Sequence, residues 1–193
     1  CRPVLKPRRA SRTRTRSRPS AVRRTLPLRG SDHRKGQETV ARLILHIGHG
    51  KTGSSALQSA LALSTDALAA QGIVYPDHAS LAQARAGQIT AGNVNGRTLV
   101  ATAKAALKRS AQDVLLSNES LIHFFLNDPD LLSRVANLGV PVQLILYVRN
   151  PFDHACSVYG QTVKRGGADI SFDAFLAGYP TPSKVREMIR LAE

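Results

Sequence analysis

The chain has 193 residues and a formal net charge of +14, enough for one domain with a sizeable core and short for two. The charge is concentrated at one end. Residues 1–42 carry 14 Lys and Arg against Asp32 and Glu38, whereas residues 43–193 carry 13 basic and 11 acidic side chains. The body is therefore near neutral and the high pI belongs to a tail. Two cysteines, Cys1 and Cys156, are too few for a disulfide framework or a cysteine-based metal site, which fits a reducing compartment. No apolar h-region occurs in residues 1–40 and no run approaches the roughly 20 residues of a membrane span, so a cytoplasmic protein is expected.

Residues 1–39 are rich in Arg, Pro, Ser and Thr, and poor in apolar side chains. Such a segment buries too little surface to offset ordering, and a disordered basic tail is expected. A polybasic arm would suit an anionic partner, but it lacks the interleaved aromatics of single-strand binders, so nucleic acid is disfavoured. Its composition would also suit an organelle transit peptide. From residue 40 to 193 strands and helices alternate. Arg42–Ile47 reads as a buried strand, and Ser54–Gln71 as a helix with Leu57, Leu61 and Leu68 on one face, stopped by Gly72. Ile73–Tyr75 is a short strand, and residues 77–96 a loop with a partial helix. Arg97–Ser110 is a helix, Asp113–Ser117 a strand, and Glu119–Asn127 and Pro129–Leu138 are helices. Pro141–Val148 is the strongest strand. Pro151–Arg165, Ser171–Ala177 and Ser183–Glu193 are helical, with Cys156 a small core residue. This order predicts a three-layer α/β/α domain with a mainly parallel sheet, of the P-loop NTPase-like kind.

Ligands in such sheets bind outside the carboxyl ends of the strands. Three candidate segments fall there: 48–55, 117–123 and 149–157. The first, Gly48-His49-Gly50-Lys51-Thr52-Gly53-Ser54-Ser55, joins a strand to a helix. Its glycines admit a phosphate to the backbone N–H groups, the helix N-terminus supplies about half a positive charge, and Lys51 adds a full one. Gly50-Lys51-Thr52 matches only the end of a Walker A motif, and no aspartate ends a later strand to hold Mg²⁺. A nucleoside triphosphatase or kinase is thus disfavoured. In the third segment Arg149 leaves its strand, Pro151 sits in the first helical turn, and Ser157 follows two turns on. Arg149 and Ser157 would grip one anion together. The second segment offers Glu119 and His123, read as one helical turn apart, as proton acceptors; Glu119 is preferred, and His46 and His49 are weaker candidates.

Together the two outer segments resemble the nucleotide-binding motifs of sulfotransferases that use 3′-phosphoadenosine 5′-phosphosulfate (PAPS), over roughly Leu43 to Ala177. The lead-in His46-Ile47-Gly48, with Lys51-Thr52-Gly53 and Leu57-Gln58, is most similar to bacterial members. The resemblance implies a 5′-phosphosulfate loop at Gly50, Lys51, Thr52, Gly53, Ser54 and Ser55, with Arg149 and Ser157 on the 3′-phosphate. It also implies in-line transfer of a sulfuryl group to a hydroxyl or amine, catalysed by Lys51 with Glu119 or His123, without a metal. Many members carry a late glycine-rich basic segment over the adenine. Here only Lys164-Arg165-Gly166-Gly167 hints at a substitute, so a minimal or C-terminally incomplete domain is expected. The acceptor, be it carbohydrate, lipid, peptide or small molecule, is not legible, because acceptor pockets are built from variable loops such as 76–96. The alternatives are a non-catalytic nucleotide- or polyanion-binding protein and a P-loop kinase.

Overall fold

A computed structural model describes residues 20–26, 40–167 and 169–193. Its centre is strand β2 (Leu43–Gly48), flanked in parallel by β4 (Asp113–Ser117) on one side and β5 (Val142–Val148) on the other. The short β3 (Ile73–Val74) adds in parallel outside β4, giving the four-stranded parallel sheet that the alternating pattern predicts. Strand β1 (Ser20–Leu26) closes the opposite edge, antiparallel to β5 with Ser20 opposite Val148 and Leu26 opposite Val142. It lies inside the stretch expected to be a disordered tail. Residues 1–19 and 27–39 of that stretch lie outside the described residues.

Side chains along a strand alternate between faces, and the two halves of the core follow that alternation. Leu43, Leu45 and Ile47 of β2 join Val114, Leu116, Leu144 and Leu146 on one face. Helices α4 (Leu99–Arg109), α5 (Leu121–Asn127), α6 (Pro129–Ala136) and α9 (Thr181–Leu191) cover them with Leu99, Phe125, Val135 and Met188. Ile44 and Leu115 point the other way, under Ala62 of α1 (Ser54–Leu63) and Ala84 of α3 (Leu81–Arg85). Helices therefore cover both faces, and the molecule is a three-layer α/β/α domain. Among the described residues no helix is long and apolar enough to cross a membrane.

Three local expectations change. The helix over Ser54–Gln71 is broken at Ser64, whose N–H bonds Ala60 and Leu61 before α2 (Thr65–Ala70) begins. Helix α5 starts at Leu121, so Glu119 stands in the turn before it and is not on one helical face with His123. Cys156, on α7 (Pro151–Gly166), is exposed and not a core residue.

Candidate functional site

Because β2, β4 and β5 run in parallel, all three release their chains at one edge of the sheet. In register, Gly48 lies beside Tyr147 and His46 beside Ser117. The segments following them therefore meet at the point where the strand order turns back through β2, where open α/β sheets hold ligands. The cleft formed there has a volume of about 580 Å³.

The loop after β2 makes its own shape. Lys51 has φ 67° and Gly53 φ 98°, both left-handed, so two reversals fit into four residues before α1. Only Gly53 adopts that conformation without steric cost; Lys51 holds it at a cost of about 1–2 kcal/mol. Thr52 is 2% exposed and donates its hydroxyl to the His49 carbonyl at 2.9 Å, closing the turn from inside. Its expected place as a phosphate donor is thus taken by a structural one, and it does not border the cleft. Ser54 is the first residue of α1, with Gly53 as N-cap, and its hydroxyl lies 3.1 Å from that of Thr52. Gly50, Lys51, Gly53, Ser54 and Ser55 do border the cleft.

Arg149 leaves β5 directly opposite this loop and donates from Nη1 to the Lys51 carbonyl at 3.2 Å. The next residue, Asn150, caps α7 by accepting from the N–H groups of Phe152 and Asp153. The helix then runs along the cleft and presents Ser157, Gln161 and Arg165 at intervals of four residues, one stripe of a 3.6-residue helix. Gln161 is a lining residue that sequence reading missed, although its spacing from Ser157 was a usable signal. Lys184 of α9 is another, and nothing local to it marks it.

Glu119 and His123 reach the same cleft from the β4 side. Oε2 of Glu119 accepts from Gln58 Nε2 at 2.7 Å, and Gln58 Oε1 accepts from the Thr90 hydroxyl at 3.3 Å. Gln58 is fully buried on α1, so the carboxylate is oriented from beneath the floor of the site. Burial and nearby Lys184 hold the His123 imidazole below its ordinary pKa. Residues 90–96, expected as part of a variable loop, are pinned to the end of β4. Asn93 accepts from the Ser117 N–H at 2.7 Å and returns its own N–H to the Ser117 carbonyl at 3.0 Å. Asn118 adds a single bond, donating from Nδ2 to the Val94 carbonyl at 2.6 Å.

Behind the loop lies a buried histidine pair. His49 is 7% and His154 3% exposed, their rings T-shaped with centroids 4.2 Å apart. His49 Nδ1 is 2.8 Å from His154 Nε2, which is also 2.6 Å from the Gly50 carbonyl, while His154 Nδ1 bonds the Tyr179 hydroxyl. Burial, with His154 alongside, lowers His49 to about 4, and burial lowers His154. His46 is also lowered to about 4 by burial, and its Nδ1 meets the Ser117 hydroxyl at 2.8 Å on the sheet, away from the cleft lining.

Among the described residues four cations, Lys51, Arg149, Arg165 and Lys184, thus border the cleft against the single carboxylate of Glu119. This donor set fits a polyanion with negative groups at separate points. Among the described residues no three His, Cys, Asp or Glu side chains gather where they would hold a metal ion. Compared with protein-family models, with curated proteins and with solved structures, the chain gives no match.

Proposed function

We propose that the protein is a sulfotransferase that moves a sulfuryl group from PAPS to a hydroxyl or amine. The observation that carries this reading is the convergence of two distant segments. The Lys51 loop and the Arg149–Ser157 segment border one cleft, joined by the Arg149–Lys51 hydrogen bond. A volume of about 580 Å³ suits a nucleotide-sized ligand.

When bound, PAPS supplies a sulfur whose leaving group is the 5′-phosphate of adenosine 3′,5′-bisphosphate. Lys51 and the loop N–H groups neutralise the charge that grows on that phosphate, the kind of fixed electrostatic help that dominates most catalysis. Arg149 and Ser157 hold the 3′-phosphate, the guanidinium supplying paired donors and the hydroxyl a third. Glu119 takes the acceptor's proton; Gln58 fixes one carboxylate oxygen and leaves Oε1 without a hydrogen bond among the described residues. His123, neutral at pH 7, is the second candidate for that step.

Thermal unfolding tests the assignment. Adenosine 3′,5′-bisphosphate at 100 times its Kd stabilises by about 2.7 kcal/mol, a rise of roughly 5–10 °C for a domain of this size. Mg-ATP should not do so; stabilisation by Mg-ATP alone would favour the kinase reading. If Lys51→Ala and Arg149→Ala both keep the full rise, the site is misplaced. Binding without transfer from sulfur-labelled donor across a panel of acceptors would leave a nucleotide-binding protein.

A further inference from the structure

The buried histidine pair has no part in the reaction as described, yet its hydrogen bonds fix a chemical property of the cleft. A carbonyl oxygen only accepts, so the 2.6 Å contact with Gly50 requires the proton of His154 to sit on Nε2. In a neutral imidazole the other nitrogen is then an acceptor, and His154 Nδ1 receives the Tyr179 hydroxyl proton. The same His154 Nε2–H lies 2.8 Å from His49 Nδ1, where two N–H groups would collide, so that nitrogen also accepts; the Gly50 carbonyl, 3.3 Å from His49 Nδ1 but 2.6 Å from His154 Nε2, takes its proton from the nearer ring. His49 must therefore carry its own proton on Nε2. Both rings are neutral at pH 7, since burial lowers each, and the Tyr179 hydroxyl stays protonated because burial raises it.

The chain ends at the remaining ring nitrogen of His49. Among the described residues, the buried ring nitrogens left without a partner belong to His46 and His78, not His49. His49 Nε2 is not one of those sealed nitrogens, and its ring borders the cleft beside Gly50 and Lys51.

We propose that His49 is a neutral hydrogen-bond donor to the anion held by the Lys51 loop, and that His154 and Tyr179 are positioning residues that lock its tautomer. A proton already on Nε2 prevents that nitrogen from acting as a base, so His49 drops out as a proton acceptor for the reaction. Three donors in line, from Tyr179 to His154 to His49, polarise one another where the two rings are buried. The proposal rests on reading the cleft as an anion site, and not on which reaction follows.

Two measurements test it separately from that reading. In protein labelled with nitrogen-15 at histidine, long-range proton–nitrogen spectra at pH 7 should show Nδ1 as the unprotonated nitrogen in both His49 and His154. A proton on His49 Nδ1 overturns the proposal whatever binds. Titrations with adenosine 3′,5′-bisphosphate and, separately, inorganic sulfate then report the donor. His49→Leu should lose about 10-fold or more in affinity, as expected for a hydrogen bond to a charged group, while His49→Gln, which keeps an N–H, should recover most of it. Tyr179→Phe should mix the tautomers and weaken binding by about 3-fold, and it remains informative if His49→Leu does not fold. Nucleotide binding that is insensitive to all three variants overturns the proposal and leaves the proposed function standing. Sulfate binding that shifts His49 Nε2, without nucleotide binding, supports the proposal and removes the function. Failure to bind either anion overturns both.

Discussion

Gly92 is where a single methyl group should do the most damage outside the cleft itself. Its φ is +84°, and a Cβ there would lie 1.8 Å from the Ser117 carbonyl oxygen and 3.1 Å from Gln58 Nε2. Gly87 provides the control, since its φ is +73° and a Cβ would meet nothing within 4 Å. Both alanine variants carry the left-handed penalty of about 1–2 kcal/mol, offset by about 0.4–1 kcal/mol from the stiffer unfolded chain. Only Gly92→Ala must also push residues 90–96 off β4. That breaks the paired Asn93–Ser117 bonds and disturbs the Asn93 Nδ2 bond to the Leu115 carbonyl at 3.1 Å. At about 1 kcal/mol for each bond, and more where a buried group is left unpaired, the excess over Gly87→Ala is about 2–4 kcal/mol. Urea unfolding of the two variants measures that difference directly, and the melting temperature should fall further by roughly 5–15 °C. Equal costs for the two variants would refute the pinning of this loop.

Acid should destabilise the protein through its buried histidines. His46 and His49 titrate near 6.5 when unfolded and at about 4 in the fold. Between those values the unfolded chain binds more protons, so the stability is complete above pH 6.5 and is lost as pH falls towards 4, on the order of 3 kcal/mol for each ring. His46→Gln should make urea midpoints between pH 5 and 7 less steep in pH by about one proton's share; an unchanged slope would contradict the burial of His46. Lys51→Gly removes a left-handed side chain at φ 67° and should raise stability by about 0.5–1 kcal/mol while abolishing stabilisation by adenosine 3′,5′-bisphosphate. A calorimetric loss of stability there would show that the loop is unstrained. Gln58→Leu leaves Glu119 Oε2 and the Thr90 hydroxyl unpaired, a cost of about 1–3 kcal/mol. Transfer from sulfur-labelled donor should fall while nucleotide affinity holds, and a parallel fall in both would place Gln58 in the nucleotide site instead.

Much of the architecture was legible in local pattern. The apolar run Leu43–Ile47, the glycine-bounded turn after it and the alanine- and leucine-rich helix each depend on neighbours within a few residues. So do the run ending at Val148 and the Asn150-Pro151 helix start. From these the parallel sheet and the convergence of Lys51 and Arg149 at one edge followed, because parallel strands must all end on the same side. The start of α5 was misjudged for a local reason: Asn118 accepts from the Ser120 N–H at 2.7 Å and makes a turn that holds Glu119 out of the helix. Strand β1 was hidden because Arg23 and Arg24 gave its segment the composition of a solvated tail, and its partner, the free edge of β5, lies more than a hundred residues away.

What the sequence by itself determined is the set of elements and the charged residues placed at their ends, since helix and strand periods, caps and turns are short-range properties. Which side chains face each other across the site was decided by the strand order β5–β2–β4. That order brings His154 to His49, Gln58 to Glu119 and Asn93 to Ser117. These contacts span 105, 61 and 24 residues of chain, and no local periodicity encodes a separation of that length. They arise only once the sheet has chosen its neighbours, because a side-chain hydrogen bond acts over about 3 Å and exists only where packing has already brought donor and acceptor together.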